Sequence, residues 1–310
     1  MSDIEIVGLG LGVLDVLIRL KDMPTWERGT RISAFRLDGG GPVGTAMAAA
    51  ARLGARAAYI GTAGTDAAAD IKLRELERYG VDLRWVVRRP GPETQVVLVY
   101  VDEETGERVF AGLQRLGNDL LRPEELDREG ITSAEYLHLD GFHPEAALQA
   151  ARWMKEAGKK VVYDGGKHSG PLPDRVKTLI RYVDVLICGS GFVPSLTGKD
   201  DIWEAGEAAL DLGPSIVVQT EGADGSYTVT GEERFHMPAF PVQVLDTTGA
   251  GDVFHGAYIV GLLQGWDLRQ ITAFSTAVSA IKCTKLGGRV GVPCFDDAVA
   301  FARSQGYDIP

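Results

Sequence analysis

The sequence contains few cysteines and no long apolar segment. Its three cysteines, Cys188, Cys283 and Cys294, are odd in number and lack the Cys-x-x-Cys spacing of zinc and redox sites. We interpret them as reduced thiols in a cytoplasmic protein. The N-terminus lacks the basic start and apolar core of a signal peptide, and no apolar run approaches the ~20 residues of a membrane span. We therefore expect neither export nor a membrane partner.

Positive charge is also scarce. Lys and Arg total 32 against 43 for Asp and Glu, and the net charge of −11 repels nucleic acid and anionic membrane surfaces. Hydrophobic residues make up 45% of the 310 positions, which is enough for a substantial core. The chain contains no low-complexity linker and no internal repeat. We expect a single domain over residues 1–310 and no nucleic-acid partner.

Strands and helices alternate along most of the chain. The strands predicted from this alternation are 4–9, 57–60, 136–139, 160–163, 185–188 and 216–219. The helices are predicted over 45–53, 67–79, 145–157, 175–182 and 202–212. Because such alternation builds a parallel sheet with helices on both faces, it predicts an α/β fold. Two strand-rich segments, about 11–37 and 93–112, lack crossover helices, and we expect them to form a separate small sheet.

The segment from Asp246 to Asp252 carries the clearest chemical pattern. It reads Asp-Thr-Thr-Gly-Ala-Gly-Asp and leads directly into an apolar helix. Gly249, Ala250 and Gly251 leave backbone amides unpaired at the positive end of the helix dipole, which favours anion binding. Because an aspartate there repels a bound phosphate, its presence suggests that Asp252 accepts a proton beside a transferred group. The alternative is that Asp252 only caps its helix, although the preceding side chains already offer a cap.

This heptapeptide resembles the C-terminal signature of the ribokinase, or PfkB, carbohydrate kinase family. The family's other landmark, a Gly-Gly pair before an alanine-rich helix, is matched by Gly39 and Gly40 ahead of residues 45–55. Further matching segments are 61–66, 79–82 and 221–225, so the resemblance covers nearly the whole chain. It implies an ATP-dependent sugar kinase with a three-layer α/β/α domain, a mostly parallel central sheet and a small β-sheet lid made of the two strand-rich segments.

The resemblance also implies roles for individual residues. Asp252 would be the general base, and the amides of Gly249, Ala250 and Gly251 would form an anion hole. The implied acceptor-binding residues are Asp15, Gly39, Gly40, Gly41, Gln95 and Arg115. For Arg115, the alternative interpretation is an exposed lid arginine without a partner. The implied ATP-binding residues are Thr220, Gly222, Gly225, Thr248 and Gly288. Mg-ATP is the expected cofactor, and Asp246 and Thr248 are candidate ligands for K⁺. The open edges of the lid allow a homodimer.

The sequence departs from the family pattern at three places. Gly44 stands where many members carry an Asn that binds the acceptor, so one hydrogen bond is missing or is supplied from elsewhere. Gly189 and Phe192 stand at an Asn-x-x-Glu element that is linked to Mg²⁺ and phosphate, so that site is not carried over. His255 replaces the Asn that usually follows the base, and we interpret it as a helix-packing histidine.

The finer motifs favour a ketose as the acceptor. Residues 39–42, 252–257 and 282–293 resemble the sulfofructose kinase and ketohexokinase-like branch, although Gly112 and residues 141–143 lack the side chains expected to bind a sulfonate. A nucleoside or 2-keto-3-deoxygluconate kinase of the same fold is one alternative, and a catalytically inactive sugar or nucleotide sensor is another. The glycines of residues 8–12 do not have the spacing of a dinucleotide-binding loop, which argues against an oxidoreductase.

Overall fold

The structure, a computed structural model, describes residues 4–114, 117 and 119–310, so the predicted acceptor residue Arg115 lies outside the described residues. The strands are β1 (Ile6–Leu9), β2 (Val13–Leu20), β3 (Ile32–Gly40), β4 (Ala57–Ile60), β5 (Thr62–Ala63), β6 (Val87–Arg88), β7 (Val96–Asp102), β8 (Arg108–Gly112), β9 (Tyr136–Leu139), β10 (Lys160–Asp164), β11 (Val185–Gly189), β12 (Ile216–Thr220), β13 (Ser226–Thr230) and β14 (Arg234–Met237). The helices are α1 (Pro42–Arg52), α2 (Ala67–Glu77), α3 (Arg128–Ser133), α4 (Pro144–Glu156), α5 (Asp174–Ile180), α6 (Phe192–Thr197), α7 (Ile202–Leu210), α8 (Ala250–Leu263), α9 (Leu268–Cys283) and α10 (Phe295–Ser304).

The central sheet has the strand order β14-β13-β12-β11-β10-β9-β1-β4 within the described chain. All pairs from β4 across to β12 are parallel. Strands β13 and β14 form an antiparallel hairpin at the edge, which the alternating pattern did not predict. Strands β1 and β4 are buried along their whole length, as expected for strands that are covered on both faces, although β4 is the last strand at one edge of the sheet. The predicted mostly parallel sheet is confirmed.

Helices cover both faces of this sheet. One face carries α1, α8, α9 and α10, whose apolar side chains share a buried cluster that includes Met47, Val253 and Phe274. The other face carries α4 to α7, with Met154 and Leu179 among the buried residues. The three-layer prediction is therefore confirmed. No helix in the described residues is long and apolar enough to cross a membrane.

A second, four-stranded sheet has the order β3-β2-β7-β8. Strand β2 pairs antiparallel with β3 and parallel with β7, and β8 completes the sheet antiparallel to β7. The two strand-rich segments supply nearly all of it, as predicted. Strand β3 runs further than expected, however, so that Gly39 and Gly40 are its last two residues. The chain then turns at Gly41 directly into α1, which joins the small sheet to the helical layer.

Candidate active site

A cavity of about 220 Å³ lies between the small sheet and the start of α8. Its lining residues are Leu11, Val13, Asp15, Gly40, Gly41, Pro42, Thr45, Val97, Arg108, Phe110, Thr248, Gly249, Asp252 and Gly288. The structure thus brings together predicted acceptor-binding, ATP-binding and catalytic residues that are up to 273 positions apart in the chain. This cavity is the candidate active site.

The start of α8 presents backbone amides to this region. Gly249 precedes the helix with a φ of 73°, a left-handed conformation that glycine adopts without strain. The first intrahelical hydrogen bond runs from the Val253 amide to the Gly249 carbonyl at 3.0 Å, so the amides of Gly251 and Asp252 precede it. The Ala250 amide, by contrast, donates to the Thr247 carbonyl at 3.2 Å. The sequence predicted that the amides of Gly249, Ala250 and Gly251 are all unpaired. The structure corrects this for Ala250, whose amide is already hydrogen-bonded within the protein.

Asp252 lies in the first turn of α8 and lines the cavity. Burial raises the pKa of its carboxyl to about 7, and the negative charge of nearby Asp164 adds to this effect. The positive charges of Arg289, Lys282 and Arg108 act in the opposite direction. A carboxyl that titrates near neutral pH is well matched to accepting a proton and releasing it again.

Asp15 faces Asp252 from the small sheet. It is the third residue of β2, the strand that the chain enters after it leaves the central sheet at Leu9. Burial raises the pKa of the Asp15 carboxyl to about 7 against the opposing charge of Arg289. A Cβ on Gly40 would lie 2.1 Å from Asp15 Oδ2, so only glycine leaves room for this carboxylate.

Arg289 is a buried cation beneath the acceptor side of the cavity, and the sequence analysis did not identify it. Its side chain is only 1% exposed. Nη2 donates to the Gly40 carbonyl at 2.7 Å, and Nε donates to Thr45 Oγ1 at 3.3 Å. A Cβ on Gly44 would lie 2.6 Å from Nη2, and one on Gly39 would lie 1.8 Å from Nη1. The departure at Gly44 thus has a physical reason, because the guanidinium occupies the space of a side chain there.

Arg108 is a second cation that the sequence analysis did not identify. It begins β8 on the small sheet and lines the cavity. Its guanidinium donates to Thr247 Oγ1, and Nη1 lies 3.7 Å from Asp246 Oδ1. Arg108 therefore bridges the small sheet to the loop that precedes α8 and places a positive charge beside the start of this helix.

Gln95 does not line the cavity, although it was predicted to bind the acceptor. Its Nε2 donates to Thr62 Oγ1 at 2.9 Å, and its Oε1 accepts from Lys72 Nζ at 3.0 Å. Lys72 Nζ also lies 2.7 Å from Glu93 Oε2, and all of these side chains are buried. The amide is thus committed to a structural polar cluster, which corrects the prediction. Gly39 is also displaced from the cavity, because its Cα faces Arg289.

The predicted ATP-binding residues fall into two groups. Thr248 and Gly288 line the cavity. Thr220 ends β12, and Gly222 and Gly225 lie in the turn that follows it, outside the cavity lining. A Cβ on Gly225 would lie 2.1 Å from the Met237 carbonyl oxygen, so this turn packs tightly on β14. The second group marks the carboxyl end of the central sheet, which is where open α/β sheets bind their ligands.

The predicted K⁺ ligands Asp246 and Thr248 are already bound to groups of the protein. Asp246 Oδ1 accepts from the amide and from Oγ1 of Thr248, at 2.8 and 2.7 Å, and Oδ2 accepts from the Gly287 amide at 2.8 Å. The Asp246 carbonyl accepts from Lys282 Nζ at 2.8 Å. These residues therefore do not fit a monovalent cation site in this arrangement.

Comparison with known proteins identifies the family of this chain. The model of the pfkB family of carbohydrate kinases matches residues 10–293. An ATP-dependent ribose-1-phosphate kinase from Halopiger xanaduensis is 31% identical over 295 residues, which cover 95% of this chain and 96% of the relative.

Solved structures of ribokinases share the fold. The ribokinase of Arabidopsis thaliana, complexed with ribose and ATP, has a TM-score of 0.83 at 22% identity and covers 98% of this chain and 99% of its own. An Escherichia coli chain described as a ribokinase II, in complex with ATP and Mg²⁺, has a TM-score of 0.84 at 21% identity. It covers 97% of this chain and 99% of its own. Together with the family match over most of the chain, these likenesses show that the protein belongs to the pfkB family of carbohydrate kinases and is an ATP-dependent kinase.

Proposed function

We propose that this kinase transfers the γ-phosphoryl group of Mg-ATP to a hydroxyl of a small sugar, with Asp252 as the general base. The observation that supports this best is the placement of Asp252, Asp15 and the start of α8 around one cavity. A sugar hydroxyl held by Asp15 is within the same small space as Asp252, which takes its proton as the oxygen attacks. The amides of Gly251 and Asp252 then bind the negative charge that develops on the phosphoryl oxygens.

The small sheet completes the site as a lid. It supplies Asp15, Val97, Arg108 and Phe110 to the cavity lining, so an acceptor bound there is enclosed by the sheet. Enclosure excludes the water that would otherwise compete for the phosphoryl group. Arg108 adds a positive charge near the transferred group, where charge accumulates in the transition state.

When ATP is bound, Mg²⁺ would be held mainly through its phosphates and would neutralise part of their charge. At the Asn-x-x-Glu position, Gly189 and Phe192 offer no side-chain oxygen. Between them in the chain, however, Ser190 Oγ donates to Oε2 of Glu221, the residue that follows β12. These two oxygens suit a hard cation, and we assign them to the metal side of the nucleotide site.

The size of the cavity favours a single sugar as the acceptor. Its volume of about 220 Å³ is below the roughly 300–1,000 Å³ of pockets that hold larger ligands, so a nucleoside fits less well. A ketose is the first candidate, on the motifs at residues 39–42, 252–257 and 282–293. Ribose 1-phosphate is the second, because the relative from Halopiger xanaduensis carries that name and Arg108 offers a cation for an acceptor phosphate.

We expect ADP release from Mg-ATP to depend on one class of sugar. The panel is fructose and other ketoses, ribose, deoxyribose, ribose 1-phosphate, 2-keto-3-deoxygluconate and nucleosides, each with an acceptor-free blank. A ketose or ribose 1-phosphate is expected to raise kcat/KM at least about 100-fold over the weakest sugar, since discrimination by hydrogen bonds to hydroxyls is strong. Absence of ADP release with every acceptor would contradict the proposed function, and preference for a nucleoside would overturn its substrate.

A homodimer through the lid is the proposed assembly. The edge strands β3 and β8 carry exposed apolar side chains, among them Ile32, Phe35 and Val109, and unpaired strand edges invite pairing with a second copy. Light scattering is expected to give the mass of two chains. The double variant Phe35→Asp with Val109→Asp should give the mass of one chain, while Leu212→Asp, an exposed leucine outside the lid, should not change it. A monomeric wild-type protein would exclude this assembly.

A further inference from the structure

Lys282 is a buried ammonium group close to the anion-binding end of α8. It lies in the last turn of α9, and its side chain is fully buried. Its Nζ donates to the backbone carbonyl of Asp246 at 2.8 Å. A buried lysine is rare without compensating groups, so this ammonium requires the carbonyl and the negative charge beside it.

The Asp246 carboxylate supplies that negative charge, and its oxygens have little remaining capacity to bind another cation. Burial by itself would raise the pKa of the Asp246 carboxyl, but the Lys282 charge and the hydrogen bonds from Thr248 and Gly287 hold it below its usual value. The carboxylate is therefore ionised, and both of its oxygens already accept hydrogen bonds. Arg108 Nη1 adds a second positive group 3.7 Å from Oδ1.

An added K⁺ would meet two cations of the protein at this place. The Asp246 carbonyl, which would be one of its ligands, is taken by Lys282 Nζ, and like charges at such separations repel strongly when they are shielded from water. Positive charge is nonetheless useful here, because the loop of residues 246–249 leads directly into the amides that receive the phosphoryl charge. The Lys282 ammonium supplies the positive charge at this place, and it also occupies the carbonyl that a free cation would need.

We propose that the Lys282 ammonium takes the place of a monovalent cation beside the anion-binding turn, so that the enzyme needs no K⁺. Lys282 acts as a positioning residue: it fixes the Asp246 backbone, and through the Asp246–Thr248 hydrogen bonds it fixes the turn at Gly249. This inference rests on the proposed kinase activity for its kinetic test but not for its binding test.

The kinetic test compares wild-type enzyme with Lys282→Ala and Lys282→Met at constant ionic strength, with K⁺ replaced by tetramethylammonium. Wild-type kcat should be the same in both salts. Lys282→Ala should lower kcat by about 10²–10³-fold, the range for removing one stabilising group from such a site. Adding K⁺ or NH₄⁺ should then raise the kcat of this variant by at least about tenfold. Lys282→Met fills the space without charge and should not be restored, which makes it the matched control.

The binding test uses thermal melting without any acceptor, so it stands even if no substrate is identified. K⁺ should raise the Tm of Lys282→Ala relative to tetramethylammonium and leave the Tm of the wild type unchanged. If Lys282→Ala does not fold, the wild-type comparison alone decides. Strong stimulation or stabilisation of the wild-type enzyme by K⁺ would overturn the proposal, as would a Lys282→Ala variant with full activity and no response to K⁺.

Discussion

Replacing Asp252 by asparagine is expected to lower kcat by about 10²–10⁴-fold, the range for loss of a general base, while the Kd for ATP changes by less than about threefold. The amide keeps the shape of the side chain but cannot accept the proton of the attacking hydroxyl. Single-turnover kinetics and equilibrium titration with ATP measure the two quantities separately. Unchanged turnover would falsify the role of Asp252 as the base.

The pH dependence of the wild-type enzyme supplies an independent readout of the same role. Only the ionised carboxylate accepts a proton, and burial raises the pKa of Asp252 to about 7, so kcat/KM should rise with pH through about 7 and level off above it. At pH 5, two units below this pKa, only about 1% of the carboxyl is ionised. Asp252→Asn should lose the part of this rise that also appears in kcat, whereas a rise that remains in kcat/KM reports Asp15, whose pKa is also raised to about 7.

A matched control separates catalysis from helix capping. Asp297 is also an acidic residue in the first turn of a helix, α10, but it is exposed and distant from the cavity lining. Asp297→Asn should change the free energy of unfolding by less than about 1 kcal/mol and leave kcat and its pH profile intact. If both variants lost activity equally, a general effect on helix ends would explain the result better than a base.

Replacing Arg289 by methionine is expected to cost about 3–5 kcal/mol of unfolding free energy, because it leaves buried carboxyls without their cation. Arg289 is the principal positive charge acting on both Asp15 and Asp38, and each of these side chains is buried. The variant also removes the donors to the Gly40 carbonyl and Thr45. Since whole domains have stabilities of only about 5–15 kcal/mol, chemical denaturation should show a large decrease in the denaturant concentration at the midpoint of unfolding.

Two comparisons make this prediction specific. Arg269→Met breaks an exposed ion pair to Glu233 and should cost less than about 1 kcal/mol. Adding Asp38→Asn to Arg289→Met removes one of the uncompensated carboxylates and should recover part of the lost stability. A loss below about 1 kcal/mol in Arg289→Met would mean that the guanidinium does not balance these charges.

The fold, and the place of one short segment at the candidate site, were predictable because their signals are local. Alternation of buried strands with helices sets the layers, and the run from Asp246 to Asp252 contains both the proposed anion-binding amides and the proposed base. The antiparallel edge of β13 and β14 was not predicted, because nothing in the alternation of strands and helices distinguishes a return at the sheet edge from another crossover.

The errors at the site come from contacts between distant parts of the chain. Arg289 lies 244 positions after Thr45, its hydrogen-bond partner, and no spacing rule connects them. Gln95 was assigned to the acceptor by the family resemblance, but the sequence does not reveal that Lys72 and Thr62 already hold its amide. The sequence did show that Gly44 replaces the Asn of the family pattern. A glycine at that position is consistent with a large neighbouring side chain, so it is the signal from which Arg289 could have been inferred.

The glycine junction between β3 and α1 has a consequence for how the enzyme handles an incomplete set of substrates. Asp15 is carried by the small sheet, whereas Asp252 lies in α8, which packs against α1 so closely that a Cβ on Gly256 would lie 2.3 Å from the Ala46 carbonyl oxygen. The two carboxyls therefore belong to different layers of the fold, which the chain joins at Gly40 and Gly41. If the small sheet closes over the acceptor as proposed, the same movement would bring the two carboxyls together and exclude water, so that ATP bound alone would be protected from hydrolysis.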